Sequence, residues 1–327
     1  MDTLYLKVDS INPEKDKLDM AVQLLQKGEL VAFPTETVYG LGALAFNPLA
    51  VAKVFKIKER TLNNPLLVHI SNIKQLDIVT SFVPPLAFKL MEKFWPGPIS
   101  FILPVHHSVP SIVTAGKNNV GVRMPANEVA IQLIEKAGPL AGTSANISAH
   151  SSPTFAQHVR QDFNGKIAAI VDAGPTSVGL ESTIIDFSKP TPQILRLGGI
   201  CVEEIETTIK MKLKLAKSAE EIVYENTVEV ILSKDIQDFI RVVGELKNKK
   251  KKIGIVNNNY FSKQMVKDVY KEYELNINEP RADFFYLLRD AKAASLDVLV
   301  FAPFPENLEL VNKALLNRIY KITNRKR

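Results

Sequence analysis

The sequence predicts an α/β protein with two domains: a twisted mixed-sheet domain followed by a smaller, doubly wound α/β domain. The chain has 327 residues, of which 46% are hydrophobic, enough to build more than one core. Short apolar runs alternate with segments of helical spacing, and glycines and prolines stand at nearly every junction. The pattern changes near residue 207, where a stretch without glycine or proline begins.

Hydrophobic spacing places the elements of the first domain. Pro48 suits the first turn of a helix, and Val51, Val54 and Phe55 recur at helical spacing. The predicted helices are 17–27, 48–57, 84–94 and 126–137. The predicted strands are 30–33, 66–70, 99–103, 120–123, 167–171 and 183–187. Strands and helices in this alternation indicate one mixed, twisted sheet covered by helices.

The second half predicts a linker and a small domain. We expect the first domain at 1–206, the linker at 207–227 and the second domain at 228–327. Predicted strands of the second domain are 228–232, 252–256 and 298–301. Predicted helices are 235–247, 260–271, 281–295 and 308–322. This order predicts a doubly wound, Rossmann-like unit.

Composition excludes several classes of protein. The single cysteine, Cys201, cannot form an intrachain disulfide or a multi-cysteine metal site. No apolar run is long enough to cross a bilayer, which takes about 18 residues or more. The first residues do not have the layout of a secretory signal. We therefore expect a cytoplasmic protein.

Positive charge is concentrated in the second half. Residues 1–206 hold 18 Lys and Arg against 19 Asp and Glu, whereas residues 207–327 hold 23 against 16. The basic runs at 247–252 and 325–327 are typical of solvated ends of elements, but basic runs also attract RNA through its phosphates. Both interpretations stay open, and the second includes an RNA-binding translation accessory protein with a vestigial pocket.

Three small hydroxyl-rich segments predict a binding pocket. The first, 33–42, reads FPTETVYGLG and predicts a buried strand that opens into a polar turn. The segments 142–146 (GTSAN) and 181–183 (EST) share this character, and each adjoins an apolar run. If the strands lie side by side, the three segments form one pocket.

Common catalytic motifs do not account for these segments. The glycines at 40 and 42 lack the third glycine of a dinucleotide fingerprint, and the chain has no Walker phosphate loop. The segment 142–146 lacks the closing glycine of a nucleophile elbow. His106 and His107 have no further ligands at usable spacing, so we predict no protein-ligated metal.

Lys58 and Arg60 form a basic cluster at the end of a predicted helix. One interpretation is a favourable placement against the helix dipole. The other is a phosphate site, in which the lysine supplies a point charge and the arginine a planar fork. The pairing with the short polar groups of Ser144 and Asn146 favours the phosphate site.

These residues carry a family resemblance. Lys58-x-Arg60 and Ser144-x-Asn146, preceded by PTETVYGLG at 34–42, resemble the YrdC-like family of threonylcarbamoyl-AMP synthases. Similar segments follow in family order over 20–206, and the C-terminal domain resembles the two-domain branch. Further similar segments are 64–66, 95–98, 122–125, 152–154 and 181–183.

The resemblance implies the reaction and its substrates. L-Threonine, bicarbonate or CO2, and ATP give threonylcarbamoyl-adenylate and pyrophosphate, so the enzyme is a nucleotidyltransferase. Mg2+ is expected with the ATP phosphates. Other proteins, as transferase partners, then move the threonylcarbamoyl group to an adenosine of tRNA. A relative that uses carbamoyl phosphate is disfavoured because its zinc-finger cysteines are absent.

The resemblance also implies roles for individual residues. The expected catalytic residues are Lys58, Arg60, Ser144 and Asn146. The expected ATP-binding residues are Lys58, Arg60, Thr114, Ser144, Ser152 and Arg196. The expected threonine-binding residues are Thr35, His69, Arg123 and Ser182. Purely structural roles stay open for three of these residues: a strand histidine at His69, a turn hydroxyl at Thr114 and a salt bridge at Arg123.

The chain departs from the family pattern in the linker. The two-domain branch has a Pro-Gly-Met segment followed by His-Tyr and a proline, which fold over the nucleotide site. Residues 218–226 read SAEEIVYEN and lack this segment. Leu197 and Ala149 replace a proline and a glycine, which are milder changes. Because both motifs of the pocket are intact, we expect an active enzyme.

Overall fold

The chain divides into two compact units. A computed structural model describes residues 2–216, 228–258, 266, 268–279, 282–305 and 312–323. The first unit takes residues 1–148 and 152–221, and the second takes 149–151 and 222–327. The predicted fold class is confirmed, because the first unit holds a large mixed sheet and the second a parallel one.

The described residues of the first unit form a mixed sheet of eleven strands. The strands are β1 Leu4–Lys7, β2 Val31–Phe33, β3 Gly40–Leu44, β4 Leu67–His69, β5 Ile99–Pro104, β6 Asn119–Arg123, β7 Leu140–Ser144, β8 Ala169–Asp172, β9 Thr183–Asp186, β10 Gln193–Arg196 and β11 Lys214–Leu215. Their order across the sheet is β1-β8-β2-β3-β7-β4-β6-β5-β9-β10-β11. The helices are α1 Lys15–Gln26, α2 Pro48–Lys58, α3 Pro85–Phe94, α4 Ser111–Thr114, α5 Glu128–Ala137, α6 Ala156–Phe163 and α7 Val202–Ile209, with a 3-10 helix at Ile73–Ile78.

The two faces of this sheet are covered differently. Alternate residues of the central strands, such as Leu41, Val68 and Val122, point to one face and join a core with α2, α3, α6 and α7. On the other face, α1 and α5 pack over β1, β8 and β2. The residues of β3 to β10 that point to this second face are therefore available to line a cavity.

Glycines in β3 make room for a neighbouring ring. Phe33 of β2 lies over this strand, and a Cβ on Gly42 would lie 2.8 Å from Phe33 Cε1. A Cβ on Gly40 would lie 3.0 Å from Phe33 Cζ. The two glycines were predicted to lie in a polar turn, but they are strand residues. Their missing side chains let the ring pack on the sheet.

Most predicted elements of the first unit are present with small shifts at their ends. Residues 40–42 and 142–144 were predicted as turn residues, and this was wrong, because they lie in the strands Gly40–Leu44 and Leu140–Ser144. In the predicted linker, residues 207–209 end α7, and 214–215 form β11 at the edge of the sheet beside β10. The missing gating segment, 218–226, lies outside the described residues.

The second unit is built on a parallel sheet with the order β12-β15-β13-β14. Its strands are β12 Glu229–Leu232, β13 Ile253–Asn258, β14 Lys271–Leu275 and β15 Val298–Phe301. Its helices are α8 Ile236–Asn248, α9 Asp283–Ala293 and α10 Lys313–Ile322. Phe239 and Val243 of α8 pack on Ile255 and Val300 of the sheet. This agrees with the predicted doubly wound arrangement.

One element of the second unit was predicted wrongly. The predicted helix 260–271 falls partly outside the described residues, but 266 and 268–270 are not helical, and Lys271 begins β14. Tyr273 and Leu275 are the buried residues of that strand, so its period is two. Among the described residues, no helix is long and apolar enough to span a bilayer.

Candidate active site

A cavity of about 280 Å³ lies in the first unit, on the same sheet face as α1 and α5 but over strands that these helices leave uncovered. Its floor is formed by residues of β4, β6, β5 and β7. Gly142, Leu67 and Gly121 occupy one row across three of these strands. The two glycines keep the floor low, since a Cβ on Gly121 would lie 2.3 Å from Leu67 Cδ2. The cavity therefore exists because small residues alternate with core residues along these strands.

The three hydroxyl-rich segments meet at this cavity, as predicted. Thr35 comes from the first segment, Ser144 from the second and Ser182 from the third. The predicted site residues that line the cavity are Thr35, Arg60, His69, Arg123, Ser144, Ser182 and Arg196. The remaining ones, Lys58, Thr114, Asn146 and Ser152, are buried and do not line it.

Arg123 ends β6 and carries a buried charge into the cavity. Its Nη2 lies 2.7 Å from Oε2 of Glu36, and both side chains are 5% exposed. The pair does not have the angular geometry of a hydrogen bond, and within the described residues Nε and Nη2 of Arg123 make none. A ligand carboxylate can therefore still gain hydrogen bonds from this guanidinium.

His69 lies beside Arg123 at the ends of two paired strands. Its ring meets the edge of the Phe33 ring, with centroids 5.9 Å apart. Burial, with the nearby charge of Arg123, lowers the pKa of His69 to about 3, so the ring is neutral at physiological pH. Nδ1 has no hydrogen-bond partner among the described residues. A neutral imidazole with an unused nitrogen suits a polar contact rather than a charged one.

Arg60 and Arg196 bring two further cations to the cavity. Arg60 is held by Asn64, whose backbone oxygen accepts from Nε at 2.9 Å and whose Oδ1 accepts from Nη2 at 2.6 Å. Burial and the charge of Arg196 lower the pKa of Arg60 to about 10, which still leaves it protonated. Arg196 donates from Nε and Nη2 to the backbone and side-chain oxygens of Ser182. Two like charges held near one another mark a site for an anion.

Lys58 organises the cavity wall from behind. Its side chain is 1% exposed, and Nζ donates to the backbone oxygen of Ser144 at 2.5 Å and also to that of Asn146. The ammonium thus holds two carbonyls of the second hydroxyl-rich segment in place. Glu59, at φ 54°, ends α2 in the left-handed region and turns the chain toward Arg60. Lysine and arginine of this motif therefore lie on different sides of the wall.

Ser152 and Thr114, which are also buried, differ in how they relate to the cavity. Ser152 donates to Oε1 of Glu181 at 2.8 Å, and Glu181 lines the cavity. Thr114 donates to the backbone oxygen of Ser111 within the short helix α4, at 3.2 Å. The structure therefore brings Ser152 to the site through Glu181, and it leaves Thr114 away from the lining.

Some cavity groups were not singled out from the sequence. Thr37 lines the cavity, and its hydroxyl lies 2.8 Å from that of Thr35. Thr143 and Asn119 also line it, and Asn64 orients Arg60. One signal in the sequence could have pointed to such a group. Asn119 is a polar residue at the start of the otherwise largely apolar strand β6.

No protein-bound metal site is formed by the described residues. No three His, Cys, Asp or Glu side chains among them are placed to hold one ion. Of the carboxylates nearest the cavity, Glu36 is paired with Arg123 and Glu181 accepts from Ser152. Any divalent ion at this site therefore has to be held mainly by ligand oxygens.

Comparison with known proteins identifies the family. The Sua5/YciO/YrdC family model, described as telomere recombination, matches residues 23–198. This range covers more than half of the chain and includes the cavity. The chain belongs to this family.

Relatives and solved structures extend the match to both units. A threonylcarbamoyl-AMP synthase of Pyrococcus abyssi is 36% identical over 94% of this chain and 94% of its own length. A threonylcarbamoyl-AMP synthase of Bacillus subtilis is 47% identical over 62% of this chain and 59% of its own. The structure of P. abyssi Sua5 complexed with L-threonine has a TM-score of 0.88 at 35% identity, covering 98% of each chain. The predicted family and its two-domain branch are confirmed.

The buried, neutral His69 predicts a pH dependence of stability. The unfolded chain binds a proton at His69 below pH 6.5, whereas the folded chain does not until about pH 3, so the free energy of unfolding falls as the pH falls through this window. Between pH 7.5 and 5.0 the natural protein should lose about 2 kcal/mol more than His69→Gln. Denaturant unfolding of both full-length proteins measures this difference. Equal losses would show that His69 is protonated in the folded state.

Proposed function

We propose that this protein is an L-threonylcarbamoyladenylate synthase, a nucleotidyltransferase that uses L-threonine, bicarbonate or CO2, and ATP. One observation carries the proposal: three arginines, Arg60, Arg123 and Arg196, line one hydroxyl-rich cavity. An amino-acid carboxylate and a triphosphate are the anions that such a cavity suits. The names of the relatives from P. abyssi and B. subtilis support the same reaction.

The chemistry needs no nucleophile from the protein. The threonine amine gives up a proton and attacks the carbon of CO2, which forms an N–C bond and a carbamate. A carbamate oxygen then attacks the α-phosphorus of ATP, the bond from this phosphorus to the β-bridging oxygen breaks, and pyrophosphate leaves. When bicarbonate is the source of CO2, water is released. Positioning and charge stabilisation are then the main contributions of the protein.

The threonine subsite is assigned to the floor of the cavity. Arg123 binds the carboxylate through a guanidinium whose Nε and Nη2 make no other hydrogen bond among the described residues. Thr35, His69 and Ser182 supply neutral polar contacts around it. The P. abyssi relative, solved with L-threonine, supports an amino-acid site in this fold.

The nucleotide subsite is assigned to the wall that carries Arg60, Arg196 and Ser144. Arg60 and Arg196 hold the phosphates, and Ser144 orients the reacting groups. Lys58 and Asn146 act through the segment that bears Ser144, because Lys58 binds its carbonyls. Ser152 contributes through Glu181, and Thr114 is an outer nucleotide contact.

Magnesium enters this proposal only with ATP. The donor set around the cavity is mainly hydroxyl and guanidinium, which does not fit an ion held by the protein alone. Mg2+ is therefore assigned to the phosphate oxygens of the substrate, and no step above depends on a protein ligand to the ion.

The partners of the enzyme belong to the same proposal. The product is an activated mixed anhydride, so separate transferase proteins are needed to pass its threonylcarbamoyl group to tRNA. A weak RNA contact is assigned to the exposed Lys249 and Lys250. Lys252 is less available, since Nζ donates to the backbone oxygen of Ala294 at 2.5 Å. The predicted cytoplasmic location stays a prediction.

Pyrophosphate release tests the reaction directly. We expect release from ATP only when L-threonine and bicarbonate are both present, because the carbamate is the attacking group. The assay compares the full protein with each substrate omitted in turn. Release that is independent of threonine would indicate ATP hydrolysis and would contradict the proposal. Tight threonine binding without any release would do the same.

The Lys-x-Arg motif predicts a large loss of turnover on truncation. Lys58→Ala frees the carbonyls of Ser144 and Asn146, and Arg60→Ala removes a cation from the cavity. Each should lower turnover by about two orders of magnitude. Lys56→Ala, at an exposed lysine in the last turn of the same helix, is the control and should be nearly unchanged. Near-normal turnover of both site variants would refute the assignment.

Arg123 predicts a selective effect on threonine. Arg123→Lys keeps a positive charge beside Glu36 but removes the planar fork, so the buried carboxylate is not left unpaired. The KM for threonine should rise by about tenfold or more, while the KM for ATP changes little. Initial rates at varied threonine and varied ATP separate the two constants. Equal rises would place Arg123 outside the threonine subsite.

A further inference from the structure

A buried serine contacts a residue of the cavity lining and has no role in the assignments above. Ser100 is in β5 between Ile99 and Phe101, which both belong to the core, and it is 0% exposed. Its Oγ lies 2.8 Å from Oγ of Ser182, which lines the cavity. Within the described residues this is the only hydrogen bond of the Ser100 side chain.

The direction of that hydrogen bond follows from counting protons. A serine hydroxyl has one proton to donate and two lone pairs to accept. Ser100 is fully buried and has one partner, so its proton must go to Ser182, because the reverse arrangement leaves a hydroxyl proton in the core without an acceptor. Arg196 can only donate, and its Nη2 lies 3.0 Å from the same Ser182 oxygen.

Both lone pairs of the Ser182 Oγ are therefore occupied by protein donors. One accepts from Ser100 and the other from Arg196. The proton of Ser182 has no acceptor among the described residues, and Ser182 lines the cavity, where a ligand can supply one. Two donors, one of them charged, also polarise this hydroxyl and make it a stronger donor. Ser182 is thus fixed as a donor toward a ligand oxygen.

The strand register brings this hydroxyl close to Arg123. Phe101 of β5 pairs with Val122 of β6 in antiparallel register, so the next residues along, Ser100 and Arg123, face each other on the same side of the sheet. Ser100 therefore stands between Arg123 and Ser182. Arg123 and Ser182 thus line the same cavity from either side of β5.

We propose that Ser100 is a positioning residue that fixes the Ser182 hydroxyl as a hydrogen-bond donor to the carboxylate of the amino-acid substrate. The proposal rests on the proposed function, since it assumes that L-threonine occupies this floor. In this arrangement the carboxylate receives hydrogen bonds from Arg123 and Ser182, and Ser100 acts only through Ser182. The fixed Ser182 hydroxyl therefore disfavours ligands that present a hydrogen-bond donor to it.

Threonine binding to the full-length protein, measured by calorimetry, tests the proposal without requiring turnover. Ser182→Ala should weaken threonine binding by about 10- to 100-fold, as expected for a lost hydrogen bond to a charged group. Ser100→Ala should weaken it by about 3- to 10-fold, because Ser182 keeps its proton but loses its fixed orientation. The KM for ATP should change much less than the KM for threonine in both variants.

A double-mutant cycle distinguishes positioning from general damage. In the Ser182→Ala background, Ser100→Ala should change threonine affinity by less than about twofold, because the residue through which it acts is gone. The same fold loss in both backgrounds would overturn the proposal and make Ser100 a core residue only. Ser100→Cys, which keeps the size and a weak donor, should lie between the natural protein and Ser100→Ala, and it serves if the alanine variant does not fold.

A ligand variant tests the choice of the carboxylate. L-2-Aminobutyrate lacks the threonine hydroxyl but has the same carboxylate, so Ser100→Ala should weaken its binding by the same factor. If that loss disappears, Ser182 binds the side-chain hydroxyl of threonine and the assignment is overturned.

Ser233→Ala removes a buried serine of the second unit and is the matched control, with no expected change in threonine affinity.

Failure of this proposal is distinguishable from failure of the proposed function. Threonine binding with the Ser100–Ser182 coupling intact, but no pyrophosphate release, would overturn the reaction and keep the positioning role. Threonine-dependent release with additive effects of the two serines would keep the reaction and overturn the positioning role. Absence of threonine binding in the natural protein would overturn both.

Discussion

The cavity depends on one buried ion pair, which joins Arg123 at the end of β6 to Glu36 in the turn after β2. Removing one member of such a pair costs about 3–5 kcal/mol, because the other charge stays buried without compensation. The turn and the strand end are therefore held together whenever the first unit is folded. Thr35, the neighbour of Glu36, is fixed by the same contact, and its hydroxyl is held further by the backbone oxygen of Val38 at 2.6 Å.

The sequence predicted the fold wherever one physical cause decided the local structure. Apolar runs such as 99–103 became strands because both of their faces are largely buried. Gly40 and Gly42 look like turn residues in isolation, but they lie in a strand because the Phe33 ring occupies the space above them. The segment 260–271 looked helical, but its last residue begins the strand Lys271–Leu275, whose buried residues alternate. In both places a distant neighbour decided the structure, and a local pattern does not contain that neighbour.

The site residues that belong to short sequence motifs were predictable. The contacts that depend on the pairing of distant strands were not. The Lys-x-Arg and Ser-x-Asn motifs indicated the wall of the cavity, and one residue of each, Arg60 and Ser144, lines it. The structure also divides the first motif: Arg60 lines the cavity, whereas Lys58 binds carbonyls behind it. The contact of Lys58 with Ser144 and the contact of Ser100 with Ser182 each join residues more than 80 positions apart. Only the strand order brings such partners together, so spacing along the chain could not reveal them.

The three arginines of the cavity differ in how their charge is balanced, and this difference bears on the proposed reaction. The charge of Arg123 is already balanced by the carboxylate of Glu36. A ligand therefore gains mainly hydrogen bonds from Arg123, and little net charge neutralisation. Arg60 feels the charge of Arg196, and burial together with this repulsion lowers its pKa. An anion that enters between them relieves the repulsion. In the proposed reaction this relief grows as negative charge moves onto the departing pyrophosphate, so the proposed nucleotide subsite is better matched to the transition state than to the bound ground state, which is the condition for electrostatic catalysis.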